Sequence, residues 1–182
     1  MNIKNLINIL TFSRILFAPI IFLLIISPKG NLLALILFFL AGISDYFDGY
    51  LARKYNAVSK IGEILDPIAD KILIVFVFVA LSLNFGSFYM GFMCSLIISR
   101  EIWVGALRDF NSRTGRSDAT KVTFLAKIKT SIQLTTISMY LIAIFFNSML
   151  LVIVSDIFLL ASTLITIYTG LIYSINSLRN QS

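Results

Sequence analysis

At 182 residues, with 58% of them hydrophobic and only 13% charged, the chain is too apolar for a soluble domain, where roughly 25% of residues carry charge. It contains no histidine and a single cysteine, Cys94, which excludes imidazole as base or metal ligand, an internal disulfide, and any thiol cluster for a metal. The net charge of +6 sits at the ends of apolar runs, so it reads as an orientation signal and an attraction for anionic lipid or a phosphate-bearing substrate, and not as a nucleic-acid surface.

The apolar runs predict an all-α membrane protein, one integral domain over residues 1–182, with six spans near the ~20 residues needed to cross a bilayer. The first run begins "MNIKNLINILTFSRILFAPIIFLLIISPKG". A lysine before an apolar stretch resembles a secretory leader, but no small-residue cleavage site follows and Arg14 interrupts the stretch. It is read as an uncleaved span, Leu10 to Ile26, preceded by a short interfacial helix. The remaining spans are expected over Asn31 to Leu51, Ile64 to Leu83, Ser87 to Leu107, Val122 to Phe146 and Leu150 to Ile175. "SPKG", "NFGS" and "FNSM" read as tight turns, and "RDFNSRTGRSDATK" as a long polar loop. Cys94 falls inside a span and reads as packing. Asp156, in the last span, has no partner nearby in sequence and points to an interhelical or dimer contact.

With these spans alternating across the membrane, Lys4, Arg53, Lys54, Lys60, Arg108, Arg113, Arg116, Lys121 and Arg179 fall on one side and Lys29 on the other. Positive charge stays on the cytoplasmic side. Both termini and the connection from Asp45 to Lys71 are therefore expected there, in a plasma (inner) membrane of a bacterium.

That connection, "DYFDGYLARKYNAVSKIGEILDPIADK", holds Asp45, Asp48, Asp66 and Asp70 among Gly49, Ala52 and Gly62. Acids at membrane depth are costly and mark function. On a helix turning ~100° per residue, Asp48, Ala52, Gly49 and Arg53 all lie within about 80° of Asp45. Gly62, Asp66 and Asp70, each four apart, form a second stripe. Taken singly, these acids are ordinary helix-end charges and the glycines ordinary packing residues. Together they describe a cavity lined by carboxylates that cannot all ionise without cations. Oxygen-only donors suit Mg²⁺ or Mn²⁺, the small residues let a ligand approach the backbone, and Arg53 offers a fork for a phosphate. The chemistry indicated is metal-assisted phosphoryl or phosphodiester transfer at the membrane surface. Pro67 interrupts the third helical pattern and predicts either a kink there or a helix that starts late.

Asp45, Asp48, Gly49, Ala52, Arg53, Gly62, Asp66 and Asp70 spell D-x2-D-G-x2-A-R-x8-G-x3-D-x3-D. This resembles the signature of the CDP-alcohol phosphotransferases, and the six-span organisation extends the resemblance over nearly the whole chain. The resemblance implies the six-helix fold of that family and a homodimer. It also implies Asp45, Asp48, Asp66 and Asp70 holding one or two divalent ions on the diphosphate of a CDP-linked lipid, with Asp70 as catalytic base. Gly49, Ala52 and Gly62 would make room for the nucleotide and Arg53 would steady its phosphates, with Thr11 a further candidate on the CDP-lipid side.

Asn8, Leu10, Thr11, Arg14 and Pro19 resemble the N-x-L-T-x2-R-x4-P opening of the branch whose acceptor is sn-glycerol 3-phosphate and whose product is phosphatidylglycerophosphate. Ile7 stands where that branch often has proline, and Ala126 where "GKxKTxxQ" has glycine. The donor implied is CDP-diacylglycerol. A phosphorylated acceptor needs cations of its own, and the candidates are Arg14, Arg100, Arg108, Lys127 and Lys129. Arg100 and Arg108 share a helix face, although Glu101 offers Arg100 an internal ion pair. Lys127 and Lys129 lie about 200° apart, so only one can easily face a given site. Two alternatives stay open: a cardiolipin synthase of the same family with phosphatidylglycerol as acceptor, and, from another class, a cation transporter lined by the acids.

Overall fold

The computed structural model describes residues 3–55, 60–115 and 124–179, with the side chains of residues 3–6, 52, 53, 60, 61, 63, 64, 124–127 and 179 outside that description. The elements are α1 (Ile3–Ile26), α2 (Asn31–Lys54), α3 (Lys60–Phe85), α4 (Phe88–Arg113), α5 (Phe124–Phe146) and α6 (Met149–Arg179). Among the described residues there is no strand, and all six helices are long and apolar enough to cross a membrane. The chain is an all-helical, multi-pass membrane protein.

Three sequence expectations change, the first being that α4 runs on to Arg113 and so takes in the start of the stretch read as a polar loop. The short interfacial helix is not separate, because α1 is continuous from Ile3; no glycine or proline precedes Pro19 to break it. Nor does α3 start late. It begins at Lys60 and runs through Pro67 to Phe85, so the proline removes one amide donor without ending the helix.

The chain forms two compact units. The first comprises Met1–Gly86 and Tyr140–Ser148. Here α1 packs against both α2 and α3. Its buried residues, Ile7, Thr11, Arg14, Ala18, Ile21 and Ile25, recur every three or four positions along one stripe, the spacing of a helix with a single packed face. Ala34 and Ala41 of α2 and Ala69 of α3 are also fully buried. Small side chains at such contacts let backbones approach closely where no water is available to drive association. Phe12, Leu16, Leu23, Leu33 and Phe39 point outward, a surface suited to lipid and not to water. Asn84 of α3 donates from Nδ2 to the carbonyl of Ile25, 2.8 Å away, closing the end of α1.

The second unit comprises Ser87–Met139 and Met149–Ser182. In it α4 packs against α6, burying Met90, Cys94, Ile97, Arg100, Val104 and Asn111. The buried positions of α6 are unusually polar for a membrane helix, including Ser155, Ser162, Thr166, Thr169, Tyr173 and Ser177, and of these Thr169 and Ser177 bond Arg100 and Asn111 of α4. Tyr89 donates to the backbone carbonyl of Asp156 at 3.0 Å, so Asp156 does lie at a helix–helix contact.

The tight turns use specific backbone chemistry. At "SPKG" the Cβ of any other residue at Gly30 would lie 2.2 Å from the carbonyl oxygen of Leu24, so only glycine fits. Gly86 ends α3 with φ +57°. Asn147 ends α5 with φ 51°, its amide bonding the carbonyl of Ile144 at 3.3 Å while that of Ser148 bonds Ala143 at 3.0 Å. That pair of bonds is a Schellman cap, with asparagine where glycine is commonest. Asn147→Gly is therefore expected to keep or raise the thermal midpoint of the purified protein. Asn147→Val should lower it by an amount corresponding to about 1–2 kcal/mol, the cost of a left-handed backbone with a bulky Cβ.

Candidate active site

The stripe on α1 that packs the first unit carries two polar members, Thr11 and Arg14, one turn apart. Both are fully buried. Arg14 reaches all four carboxylates of the acidic motif. Its Nη1 donates to Asp45 Oδ1 and to Asp70 Oδ1. Its Nη2 donates to Asp48 Oδ2 at 2.7 Å and lies 3.6 Å from Asp66 Oδ1. Thr11 Oγ1 lies 2.8 Å from Asp66 Oδ1, 3.5 Å from Asp48 Oδ2 and 3.2 Å from the carbonyl of Ile7. The hydroxyl has one proton to give, and Asp66 is the nearest acceptor.

The spacing of the acids along α2 and α3 therefore does bring them together, at a common guanidinium. Asp48 is almost as buried as Arg14, with its side chain 3% exposed, whereas Asp45, Asp66 and Asp70 are 49%, 43% and 44% exposed. Four carboxylates against one guanidinium leave the ionised cluster three charges negative, and three of its members are open to an incoming cation. Among the described residues, no three acidic side chains form a ready-made metal cage; the oxygens turn inward to Arg14. The donor chemistry nonetheless fits a hard divalent ion, being all oxygen, excess negative charge and partial access.

The other expected residues of the motif divide. Gly49 lies on α2 beside Asp48, partly exposed, and Gly62 is buried on α3. The side chains of Ala52 and Arg53 lie outside the described residues. The sequence points to Thr11 as a CDP-lipid contact and to Arg14 as a phosphate ligand. In the structure the described side-chain bonds of both go to the carboxylates and, for Thr11, to the backbone of its own helix. The signal for this was present in the repeat of Ile7, Thr11, Arg14 and Ala18 along a single face.

The cations expected for the acceptor lie in the second unit. Arg100 is buried; its Nη1 donates to Glu101 Oε1 at 3.0 Å and its Nη2 to Thr169 Oγ1 at 2.8 Å. Glu101 Oε1 also accepts from Lys129, which is buried on α5. The guanidinium carbons of Arg100 and Arg108 lie 5.8 Å and 5.5 Å from the centroid of the Tyr173 ring, within cation–π range. The shared face of Arg100 and Arg108 is thus real, with Arg108 the exposed member, and the ion pair of Arg100 with Glu101 is formed. The side chain of Lys127 lies outside the described residues. Sequence reasoning missed Thr169, Gly170 and Tyr173 of α6. A Cβ on Gly170 would stand 2.9 Å from Cγ of Arg100, so the glycine makes the space in which that side chain lies. Hydroxyl and glycine residues at steps of three and four along α6 were the available signal.

Comparison with known proteins gives a consistent result. A family model described as CDP-alcohol phosphatidyltransferase matches residues 4–168. The chain is 40% identical over 173 residues to the CDP-diacylglycerol–glycerol-3-phosphate 3-phosphatidyltransferase of Rickettsia bellii (strain RML369-C), covering 93% of each. It is 39% identical over 173 residues to the protein of that name from Rickettsia prowazekii (strain Madrid E), again covering 93% of each. To the one from Escherichia coli (strain K12) it is 30% identical over 136 residues, 74% of this chain and 75% of the relative.

Glu101 joins two buried cations, so Glu101→Gln should destabilise the protein. Breaking a fully buried pair costs about 3–5 kcal/mol, and the partial exposure of Glu101 lowers the expectation to about 2 kcal/mol. Adding Lys129→Met to that variant should recover part of the loss. Thermal midpoints of the two single variants and the double variant check this.

Proposed function

The chain belongs to the CDP-alcohol phosphatidyltransferase family, and on that premise we propose that it transfers the phosphatidyl group of CDP-diacylglycerol to sn-glycerol 3-phosphate, giving phosphatidylglycerophosphate and CMP. The observation that carries the reading is the convergence of Asp45, Asp48, Asp66 and Asp70, drawn from two helices, on one point. Such a concentration of negative charge has a use where a diphosphate must be gripped through cations.

Asp45, Asp48, Asp66 and Asp70 would hold one or two divalent ions, Mg²⁺ or Mn²⁺. Bound there, such ions would neutralise the donor diphosphate and make its phosphorus more electrophilic. The protein's own contribution is placement and proton transfer. Gly49 and Gly62, with Ala52, leave room for the nucleotide, and Arg53 steadies the phosphates. Asp70, with its side chain partly exposed, takes the proton from the acceptor hydroxyl. That oxygen forms a bond to the lipid-side phosphorus as the bond from phosphorus to the CMP oxygen breaks, so CMP leaves with the electron pair. The phosphate of the acceptor falls to Arg100, Arg108 and Lys129. The excess of basic residues at one set of span ends supports a cytoplasmic active site in a bacterial inner membrane.

Purified protein offered CDP-diacylglycerol should release CMP only when sn-glycerol 3-phosphate and a divalent ion are both present. Product with phosphatidylglycerol alone would replace the acceptor by that of a cardiolipin synthase, and no CMP with any alcohol would remove the enzyme class. Asp70→Asn should lower turnover by ~10²–10⁴-fold, the range for loss of a general base, a larger effect than its effect on CDP-diacylglycerol binding. Lys129→Gln should raise the KM for glycerol 3-phosphate more than that for CDP-diacylglycerol.

A further inference from the structure

Arg14 lies outside the acidic signature and is completely buried, yet it binds every acid in it. Each of these contacts uses one oxygen of its carboxylate, and a carboxylate has two. The guanidinium is shielded from solvent while Asp45, Asp66 and Asp70 are each nearly half exposed. Arg14 therefore lies behind the acids and not in front of them. Thr11, one turn away on the same stripe of α1, adds a 2.8 Å bond to Asp66. Neither residue is mobile by design, since both belong to the packed face between Ile7 and Ala18.

We propose that Arg14 and Thr11 are positioning residues for the divalent-ion site: a cationic floor on α1 that fixes one oxygen of each carboxylate and presents the other to the metal. The proposal rests on the reading of the four acids as metal ligands. Its physical basis is twofold. Bringing four carboxylates together before any metal arrives costs mutual repulsion, and a buried guanidinium between them offsets part of it. Holding the ligand side chains still also removes ordering cost from the binding step, as hydrogen-bonded partners of metal ligands do elsewhere. Arginine suits this task and lysine does not. A planar fork with donors on both Nη atoms can span acids from two helices, whereas an ammonium is a point charge.

The test is Mn²⁺ binding to the purified full-length protein, without CDP-lipid, followed by the electron paramagnetic resonance of free Mn²⁺. Arg14→Gln should weaken Mn²⁺ binding ~10–100-fold, the usual effect of removing a partner of metal ligands. Arg14→Lys should fall between that variant and the parent. Thr11→Val, which removes one hydrogen bond without changing charge or shape, should weaken binding a few-fold with its thermal midpoint near that of the parent. Should Arg14→Gln fail to fold, the Thr11→Val result decides. Unchanged Mn²⁺ affinity in Thr11→Val and in any folded Arg14 variant would overturn the proposal. Tighter binding in Arg14→Gln would overturn it too, making Arg14 a competitor of the metal. If the parent protein itself binds no Mn²⁺, the reading of the acids as ligands fails, and that outcome is distinct from a parent that binds while its variants bind equally well.

Discussion

Four carboxylates gathered within reach of one another repel, and without a counter-charge they cannot all stay ionised. Their assembly in this protein depends on a single guanidinium. Arg14 carries donors on both terminal nitrogens, and Asp45, Asp48, Asp66 and Asp70 each give it an oxygen. Since the first two acids come from α2 and the last two from α3, the same interaction ties three helices at one level. It neutralises only one of four charges, however. The remainder stays on partly exposed oxygens, which is the condition a cation-dependent grip on a diphosphate requires.

Arg14 can do this because the helix that carries it is also the helix that packs the unit. Ile21, Ile25 and Ala18 on α1 fill the apolar part of the seam, and Thr11 and Arg14 continue the same stripe into the polar part. Packing thus sets the height and direction of the guanidinium before any charge interaction is counted. Ala34, Ala41 and Ala69 on the neighbouring helices let the backbones approach, and close approach lets short aspartate side chains suffice where glutamates would otherwise be needed. The choice of aspartate, alanine and glycine around this point follows from one requirement for closeness.

The second unit handles buried charge differently. Arg100 and Lys129 share the carboxylate of Glu101, while Thr169 and the ring of Tyr173 complete the surroundings of Arg100. Here cations outnumber the acid that links them, so the cluster favours an anion. The described charges thus differ in sign between the units, negative around Arg14 and positive around Glu101.

Much of this was legible from the amino-acid sequence. The number and positions of the helices follow from run lengths, because a bilayer demands about 20 apolar residues per crossing, and the acids announced themselves because charge is so costly there. The shared face of Arg100 and Arg108 was readable from helical periodicity alone, and the pairing of Arg100 with Glu101 was one of two readings left open for it. What periodicity cannot express is which stripe of one helix meets which stripe of another. The carboxylates that Arg14 meets were not readable because they lie 31 to 56 positions away in sequence. Gly170 and Thr169 looked like ordinary span residues because Arg100 is farther still, 69 positions from Thr169. The local pattern determined that these helices form and which faces are polar; only tertiary packing decided whose charge each face would meet, because that depends on contacts between segments whose separation along the chain carries no local signal.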